Sequence, residues 1–186
     1  MPDDTDDFAA LVPRLRAGDR AAFGEVFRAL HGDLVRYGRR FADGAEAEDA
    51  VQEAFLAVWR RRETLDPARS VRTLLYTSVR NALLNRRRDA ARRDELHTTM
   101  DDPARPDSPD DTAAAALLGE RMRAWLGELP ERQREAFGLS RFDGLSYAEV
   151  ADVMGVAPKT VENHVGRALA HLRDRLRAVA PEALQP

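Results

Sequence analysis

The stretch LSYAEVADVMGVAPKTVENHVGRAL, residues 145–169, indicates how the C-terminal part of this chain folds. Ser146 is followed three residues later by Glu149, the pattern of a capping box at the start of a helix. Gly155 can adopt the left-handed conformation that ends a helix. Pro158 suits the first position of a second helix, because the N–H it lacks is not needed there. Two helices joined by a short turn with a glycine are typical of a helix-turn-helix.

The second of these helices has two different faces. An apolar stripe from Val161 to Leu172 is expected to face the core, whereas small and polar residues occupy the other side. In helix-turn-helix proteins the N-terminal part of the second helix enters the major groove, and Gly166 and Ala170 would permit close approach. Glu162 would either accept a hydrogen bond from a cytosine amino group or lie only at the edge of the contact. The alternative is an ordinary helical hairpin with a polar outer face. The predicted DNA contacts are Lys159, Thr160, Glu162, Asn163, His164 and Arg167.

The composition limits the class of protein. The chain has 186 residues, 44% of them apolar, and no cysteine, so it can bury one or two small cores but has no disulfide or thiolate metal site. No apolar run approaches the roughly 20 residues of a membrane span, and the acidic start MPDDTDD is not a secretory signal. We therefore expect a cytoplasmic protein without a membrane span. No glycine-rich phosphate loop is present and the four histidines are scattered, so an enzyme is a poor alternative and no cofactor is expected.

The charges are segregated along the chain. The net charge is −3, but residues 60–95 contain eleven arginines and only five acids, whereas residues 43–53 contain five acids and no basic residue. A basic stripe on an otherwise acidic protein indicates an electrostatic contact with a polyanion such as nucleic acid.

The composition changes sharply at HTTMDDPARPDSPDDTA, residues 97–113, which has three prolines and five aspartates. Such a segment cannot bury enough apolar area to offset its ordering entropy, so it is predicted to be a flexible acidic linker. Helical spacing dominates on both sides, without the alternation of strands. The predicted fold is all-α, with two small helical domains, residues 1–96 and 114–186, joined by this linker.

In the first domain, AEAEDAVQEAFLAVWRRR, residues 45–62, is predicted to form a helix with its acids early and its arginines late. Val51, Phe55, Val58 and Trp59 form the expected buried stripe. Leu56 stands on the opposite face among polar residues, which indicates a partner surface. The alternative is that Leu56 is one of the scattered exposed apolar residues of any protein. The residues of this face are Asp49, Gln52, Glu53, Leu56 and Arg60.

Residues 70–93, SVRTLLYTSVRNALLNRRRDAARR, are predicted to form a long helix with Val71, Leu75, Ser78 and Ala82 on its inner side. A tyrosine among cations on the outer side suits single-stranded nucleic acid, because a base stacks on the ring while the cations hold the backbone. A solvated basic helix with a half-buried tyrosine is the alternative. The candidate contacts are Arg72, Tyr76, Arg80, Arg87 and Arg88.

Three segments together carry a resemblance to a known family: AEDAVQEAFLAVW, SVRTLLYTSVRNALLNRRR and LPERQREAFGLSRFDGLSYAEVADVMGVAPKTVENHVGRALAHLR. They resemble conserved regions two and four of the extracytoplasmic-function sigma factors of bacterial RNA polymerase. The resemblance covers nearly all of residues 17–177. Each motif alone is weak, but both in this order across a short linker are highly specific.

The resemblance implies a role for each part. The helix at 45–62 would dock on the clamp coiled coil of core RNA polymerase. The helix at 70–93 and the preceding loop LDPARS would melt and recognise the promoter −10 element, with Asn81 matching a base-contacting residue of relatives. The helix-turn-helix would bind the −35 element of promoter DNA, and the linker would run toward the RNA exit path. An anti-sigma factor is a common but not universal partner in this group.

The sequence departs from the family pattern in two places. Relatives often have Trp-Leu-Tyr where this chain has Leu74, Leu75 and Tyr76, so a stacking role for that tryptophan is absent. Relatives often have a basic residue or serine where this chain has Glu162 and Asn163, so a −35 preference does not transfer. The main rival is a two-domain transcription regulator of the response-regulator type. The segment KTVENHV of this chain also resembles the recognition helix of such activators. Such activators carry an α/β domain, and residues 1–95 show no strand pattern for one.

Overall fold

The structure, a computed structural model, describes residues 8–94 and 113–179. These residues form helices, turns and short connections, without a strand in either range, so the predicted all-α fold is confirmed. The chain divides into two compact units, Met1–Pro106 and Asp107–Pro186. The predicted acidic linker lies outside the described residues apart from Ala113, which begins the first helix of the second unit.

The first unit is built around three long helices. In chain order its elements are a 3-10 turn at Ala9–Leu11, α1 (Val12–Arg16), α2 (Arg20–Gly38), α3 (Gly44–Arg60), a second 3-10 turn at Arg62–Thr64, and α4 (Val71–Asp94). Helices α2, α3 and α4 pack on one another, and α1 packs against α2 and the second 3-10 turn. Each of the three long helices therefore has two long neighbours.

Aspartates begin the two helices that precede α4. The Asp19 carboxylate accepts hydrogen bonds from the N–H groups of Ala21 (2.8 Å) and Ala22 (3.3 Å), and Asp43 accepts one from the N–H of Glu46 (2.9 Å). The Arg14 guanidinium lies 2.8 Å from Asp19. Its hydrogen bond, together with those from the backbone, holds the pKa of the Asp19 carboxyl below its usual value.

The crossing of α2 with its neighbours depends on small residues. A Cβ at Gly38 would lie 3.1 Å from the Cβ of Ala47 on α3 and 3.4 Å from Cδ1 of Leu83 on α4. Gly38 and Ala47 are themselves buried, so the helices approach closely at this point. Aromatic contacts also join α2 and α3, where the rings of Phe23 and Phe55 meet edge to face with 6.0 Å between centroids.

The second unit wraps three helices around a fourth. It consists of α5 (Ala113–Gly127), α6 (Glu131–Arg141), α7 (Tyr147–Met154) and α8 (Pro158–Val179), and α8 packs against the other three. Of the core positions expected before the helix-turn-helix, Leu129, Phe137 and Leu139 are buried, whereas Leu126 is half-buried. Trp125, not expected in the core, is only 7% exposed there.

Candidate nucleic-acid interface

The turn between α7 and α8 is formed by the residues that the sequence indicated. The Ser146 hydroxyl accepts a hydrogen bond from the Glu149 N–H (3.3 Å), and the Glu149 carboxylate accepts one from the Ser146 N–H (2.9 Å). Gly155 has a φ of +65°, and its N–H donates to the Ala151 carbonyl, so α7 ends there. Helix α8 begins at Pro158. The two helices therefore form the predicted helix-turn-helix.

The outward face of α8 is open and polar. Lys159, Glu162, Asn163 and Arg167 are exposed, as a DNA contact requires. Thr160 and His164, also predicted to contact DNA, are half-buried. The Nδ1 atom of His164 is buried without a hydrogen-bond partner, so a DNA contact by this side chain would use the rest of the ring.

Two details determine what can approach this face. The Lys159 ammonium lies 2.8 Å from the Glu162 carboxylate, one turn further along the helix, so the two charges compensate each other. Gly166 lies between Asn163 and Arg167 in a helical conformation, and a Cβ built on it would meet no other atom within 4 Å. The backbone at Gly166 is therefore bare on the side that faces solvent.

The outer face of α3 also agrees with the sequence pattern. Val51, Phe55 and Val58 are buried, and Leu56 exposes 49% of its surface on the opposite side. Trp59, expected in the buried stripe, is half-buried, with the Arg62 guanidinium 4.9 Å above its ring. The structure places all the polymerase-binding candidates at the surface: Asp49, Gln52, Glu53, Leu56 and Arg60.

The predicted strand contacts on α4 differ in how far they are exposed to solvent. Asn81, Arg87 and Arg88 are exposed. Arg72 and Arg80 are half-buried.

Tyr76 corrects the prediction, because it is fully buried. Its ring lies 5.1 Å from the ring of Tyr37 on α2, inside the contact between α2 and α4. A buried ring cannot stack on a nucleic-acid base, so the interpretation of Tyr76 as a stacking platform is wrong. Ser78 and Ala82, expected on the inner side, are only half-buried, and Val79 and Leu83 take the core positions.

An open cleft of about 370 Å³ lies beside the loop that precedes α4. Its walls come from the C-terminal half of α3, the loop at 64–69 and the first two turns of α4. Leu74, at the position where relatives often have tryptophan, contributes an apolar wall and is 37% exposed. Arg61 and Arg69 also line the cleft and are exposed. Sequence patterns did not indicate this cleft, because it is formed by three segments that meet only in the folded unit.

Within residues 8–94 and 113–179, no group of three or more histidine, aspartate or glutamate side chains is placed to hold a metal ion. No helix among these described residues is long and apolar enough to cross a membrane.

Comparisons with known proteins agree with this architecture. Residues 26–93 match the family described as sigma-70 region 2, and residues 119–172 match sigma-70, region 4. The chain is 33% identical over 163 residues to the ECF RNA polymerase sigma factor SigL of Mycobacterium tuberculosis, covering 84% of this chain and 92% of the relative. It is 30% identical over 190 residues to the RNA polymerase sigma factor CnrH of Cupriavidus metallidurans, covering 92% and 94% of the two chains.

Solved structures show the same fold. The structure of CnrH in complex with the cytosolic domain of CnrY superposes with a TM-score of 0.64 and 29% identity, over 91% of this chain and 97% of the other. The sigma factor RpoE of Bartonella quintana, solved with the anti-sigma factor NepR, gives a TM-score of 0.68 over 83% and 96% of the two chains, at 22% identity. The chain therefore belongs to the extracytoplasmic-function sigma factors, regulatory subunits that direct RNA polymerase to specific promoters at transcription initiation.

Proposed function

We propose that this sigma factor binds the −35 element as duplex through α8 and the −10 element as single strand through α4, while α3 docks on core RNA polymerase in the cytoplasm. The observation that carries the proposal is the outward face of α8. There the second helix of a helix-turn-helix presents polar side chains around a bare backbone at Gly166.

The chemistry of α8 favours recognition of a duplex. Arg167 and Lys159 are exposed cations that can contact phosphates or guanine, and Asn163 offers both a donor and an acceptor to a base edge. Glu162 would accept a hydrogen bond from a cytosine amino group, because its exposed pair with Lys159 is weak and leaves the carboxylate accessible.

The chemistry of α4 favours an opened strand. Asn81, Arg87 and Arg88 provide an exposed polar and cationic surface, and the cleft beside Leu74 offers a partly apolar recess at the start of the same helix. With Tyr76 buried, stacking on α4 itself is removed from the proposal. We infer instead that a base turned out of the strand would enter the cleft, with Arg61 and Arg69 near its phosphates.

The outer face of α3 suits a protein partner, because Leu56 is an exposed apolar side chain surrounded by Asp49, Gln52 and Glu53. We assign this face to the contact with core polymerase. We assign recognition of the −10 element to the domain of residues 1–96, and recognition of the −35 element to the domain of residues 114–186. We also propose that a regulatory anti-sigma partner binds this chain, by analogy with the complexes solved for CnrH and RpoE.

The test compares two variants as holoenzymes on a closed duplex and on a template melted beforehand at −10. Arg167→Ala should weaken binding to both templates, by about 1–3 kcal/mol if the side chain contacts a base. Asn81→Ala should act on the melted strand and leave the salt dependence of duplex binding unchanged, because it removes no charge. An Asn81→Ala effect on duplex lacking a −10 element, or none on the melted template, would exclude Asn81 from strand recognition. A wild-type chain that fails to bind core polymerase would refute the proposal altogether.

A further inference from the structure

Arg86 differs from the other arginines at the C-terminal end of α4. Its Nη2 atom lies 2.9 Å from the Glu53 carboxylate, and its Nη1 atom donates to the Glu46 carbonyl at 3.1 Å, both on α3. The neighbouring Arg87 and Arg88 are exposed, whereas the Arg86 side chain exposes 28% of its surface. One cation of the basic run is therefore turned toward α3 and away from solvent.

The carboxylate that holds Arg86 belongs to the face proposed to bind polymerase. The Glu53 side chain is 64% exposed, and only one of its oxygens is recorded in the ion pair. Water screens an ion pair this exposed, so the pair is weak and its partners exchange readily. A basic group of a docking protein that approached Glu53 would compete with Arg86 for the same carboxylate.

We propose that Glu53 holds Arg86 away from nucleic acid in the free protein and releases it when α3 docks, so that Arg86 becomes a further phosphate contact for the single strand on α4. The inference rests on the proposed function of these two helices. Arg86 lies directly before the exposed Arg87 and Arg88. It is about 7.5 Å along the helix axis and about 140° around it from Asn81, so a released side chain would reach the strand from the edge of the basic surface that adjoins α3. Docking on polymerase would then add a cation to the strand-binding surface only where strand binding is needed.

The first experiment measures the free full-length chain. Fluorescence anisotropy of a labelled single-stranded oligothymidylate is recorded over a series of salt concentrations, because each phosphate contact adds about 0.7 to the slope of log K against log salt. Glu53→Gln should steepen the slope by about 0.7, since it removes the charge that pairs with Arg86 and leaves only neutral acceptors there, the new amide oxygen and the Glu46 carbonyl. Glu48→Gln is the matched control, because it removes the same charge from an exposed position of α3. The double variant Glu53→Gln/Arg86→Ala should lose the added slope. Equal slopes for Glu53→Gln and Glu48→Gln, or a gain that persists without Arg86, would overturn the proposal.

The second experiment measures the bound state. Wild-type and Arg86→Ala holoenzymes are titrated with a template melted beforehand at −10, and the variant should show a slope shallower by about 0.7. An unchanged slope would mean that Arg86 stays on Glu53 after docking, which contradicts its release. Sedimentation of the wild-type chain with core polymerase is measured in the same samples. Its failure would refute the proposed function, whereas the free-chain slopes test the Glu53–Arg86 pair independently of polymerase.

Discussion

Replacing Gly166 with alanine should make the protein more stable and, at the same time, worse at binding duplex DNA. Gly166 is an exposed interior position of the 22-residue helix α8, and an added Cβ would meet no other atom within 4 Å. The substitution therefore gains the full helix-propensity difference between glycine and alanine, about 1 kcal/mol. In a domain of this size that gain raises the melting temperature by roughly 4–8 °C.

The cost appears only with DNA. If the backbone at Gly166 lies against the groove, the new methyl group overpacks an interface as dense as a protein interior, which costs about 1–3 kcal/mol. Holoenzyme affinity for a −35 duplex should then fall roughly 5- to 150-fold, because each 1.4 kcal/mol or so changes the affinity about tenfold. Stability is followed by the fluorescence of Trp125, which is buried in the second unit, in a Trp59→Phe background that removes the tryptophan of the first.

Gly32→Ala is the matched control, because Gly32 lies in α2, is exposed and also has no atom within 4 Å of an added Cβ. It should stabilise the first unit by a similar amount, followed by circular dichroism because Trp125 does not report on that unit, and leave duplex affinity unchanged. Unaltered −35 affinity for Gly166→Ala together with a raised melting temperature would refute the close approach of α8 to DNA. A lowered melting temperature would refute the placement of Gly166 on an open helical face.

Three further outcomes follow from the first unit. Replacing Asp49 and Gln52 with alanine should weaken core polymerase association in a pull-down while the helical circular dichroism signal and melting temperature stay nearly constant; unfolding would instead show that this face is buried. Gly38→Ala should destabilise the unit by about 1–2 kcal/mol in urea, because overpacking against atoms 3.1 and 3.4 Å away exceeds the gain in helix propensity, and a net stabilisation would contradict the close crossing. The pKa of Asp19 is lowered in the folded unit, first by the hydrogen bond from Arg14. The ionised carboxylate therefore stabilises the unit at pH values above its unfolded pKa, and this contribution is lost as the pH falls through the folded pKa. Asp19→Asn should therefore lower the melting temperature at neutral pH and converge with wild type in acid, and a constant difference across that range would exclude the carboxylate charge as the cause.

The helix-turn-helix was predictable because its signals are local. The reciprocal hydrogen bonds of Ser146 and Glu149 join residues three apart, and the positive φ of Gly155 is a property of one residue. Interactions of this kind can be predicted from a few consecutive residues. The exposed face of α3 was predictable for a similar reason, since its apolar residues form a single amphipathic stripe that orients the helix toward both of its neighbours, α2 and α4.

The orientation of α4 was harder to predict, because it depends on helices distant in the sequence. Tyr76 is buried against Tyr37, and the pattern of α4 alone does not indicate that α2 packs on that side. The contacts of Arg86 were not predictable for the same reason, because they join it to Glu46 and Glu53, which lie 40 and 33 positions earlier in the chain. Contacts with distant residues give Arg86 a different environment from Arg87 and Arg88. The composition of the run does not distinguish these arginines.

Lys159, which pairs with Glu162 at the start of α8, has a practical consequence for handling this protein. It is the only lysine among the 29 lysine and arginine residues of the chain. A lysine-specific protease can therefore cut the chain at one peptide bond, next to Thr160 in the first turn of α8. Cleavage of a helical bond requires local opening, so the rate at which the two fragments appear measures how often the start of α8 unwinds. Amine-reactive dyes and surfaces would attach there and at the N-terminal amine, and Lys159 lies directly on the face proposed to bind the −35 element. Immobilisation through an engineered site elsewhere would leave that face accessible.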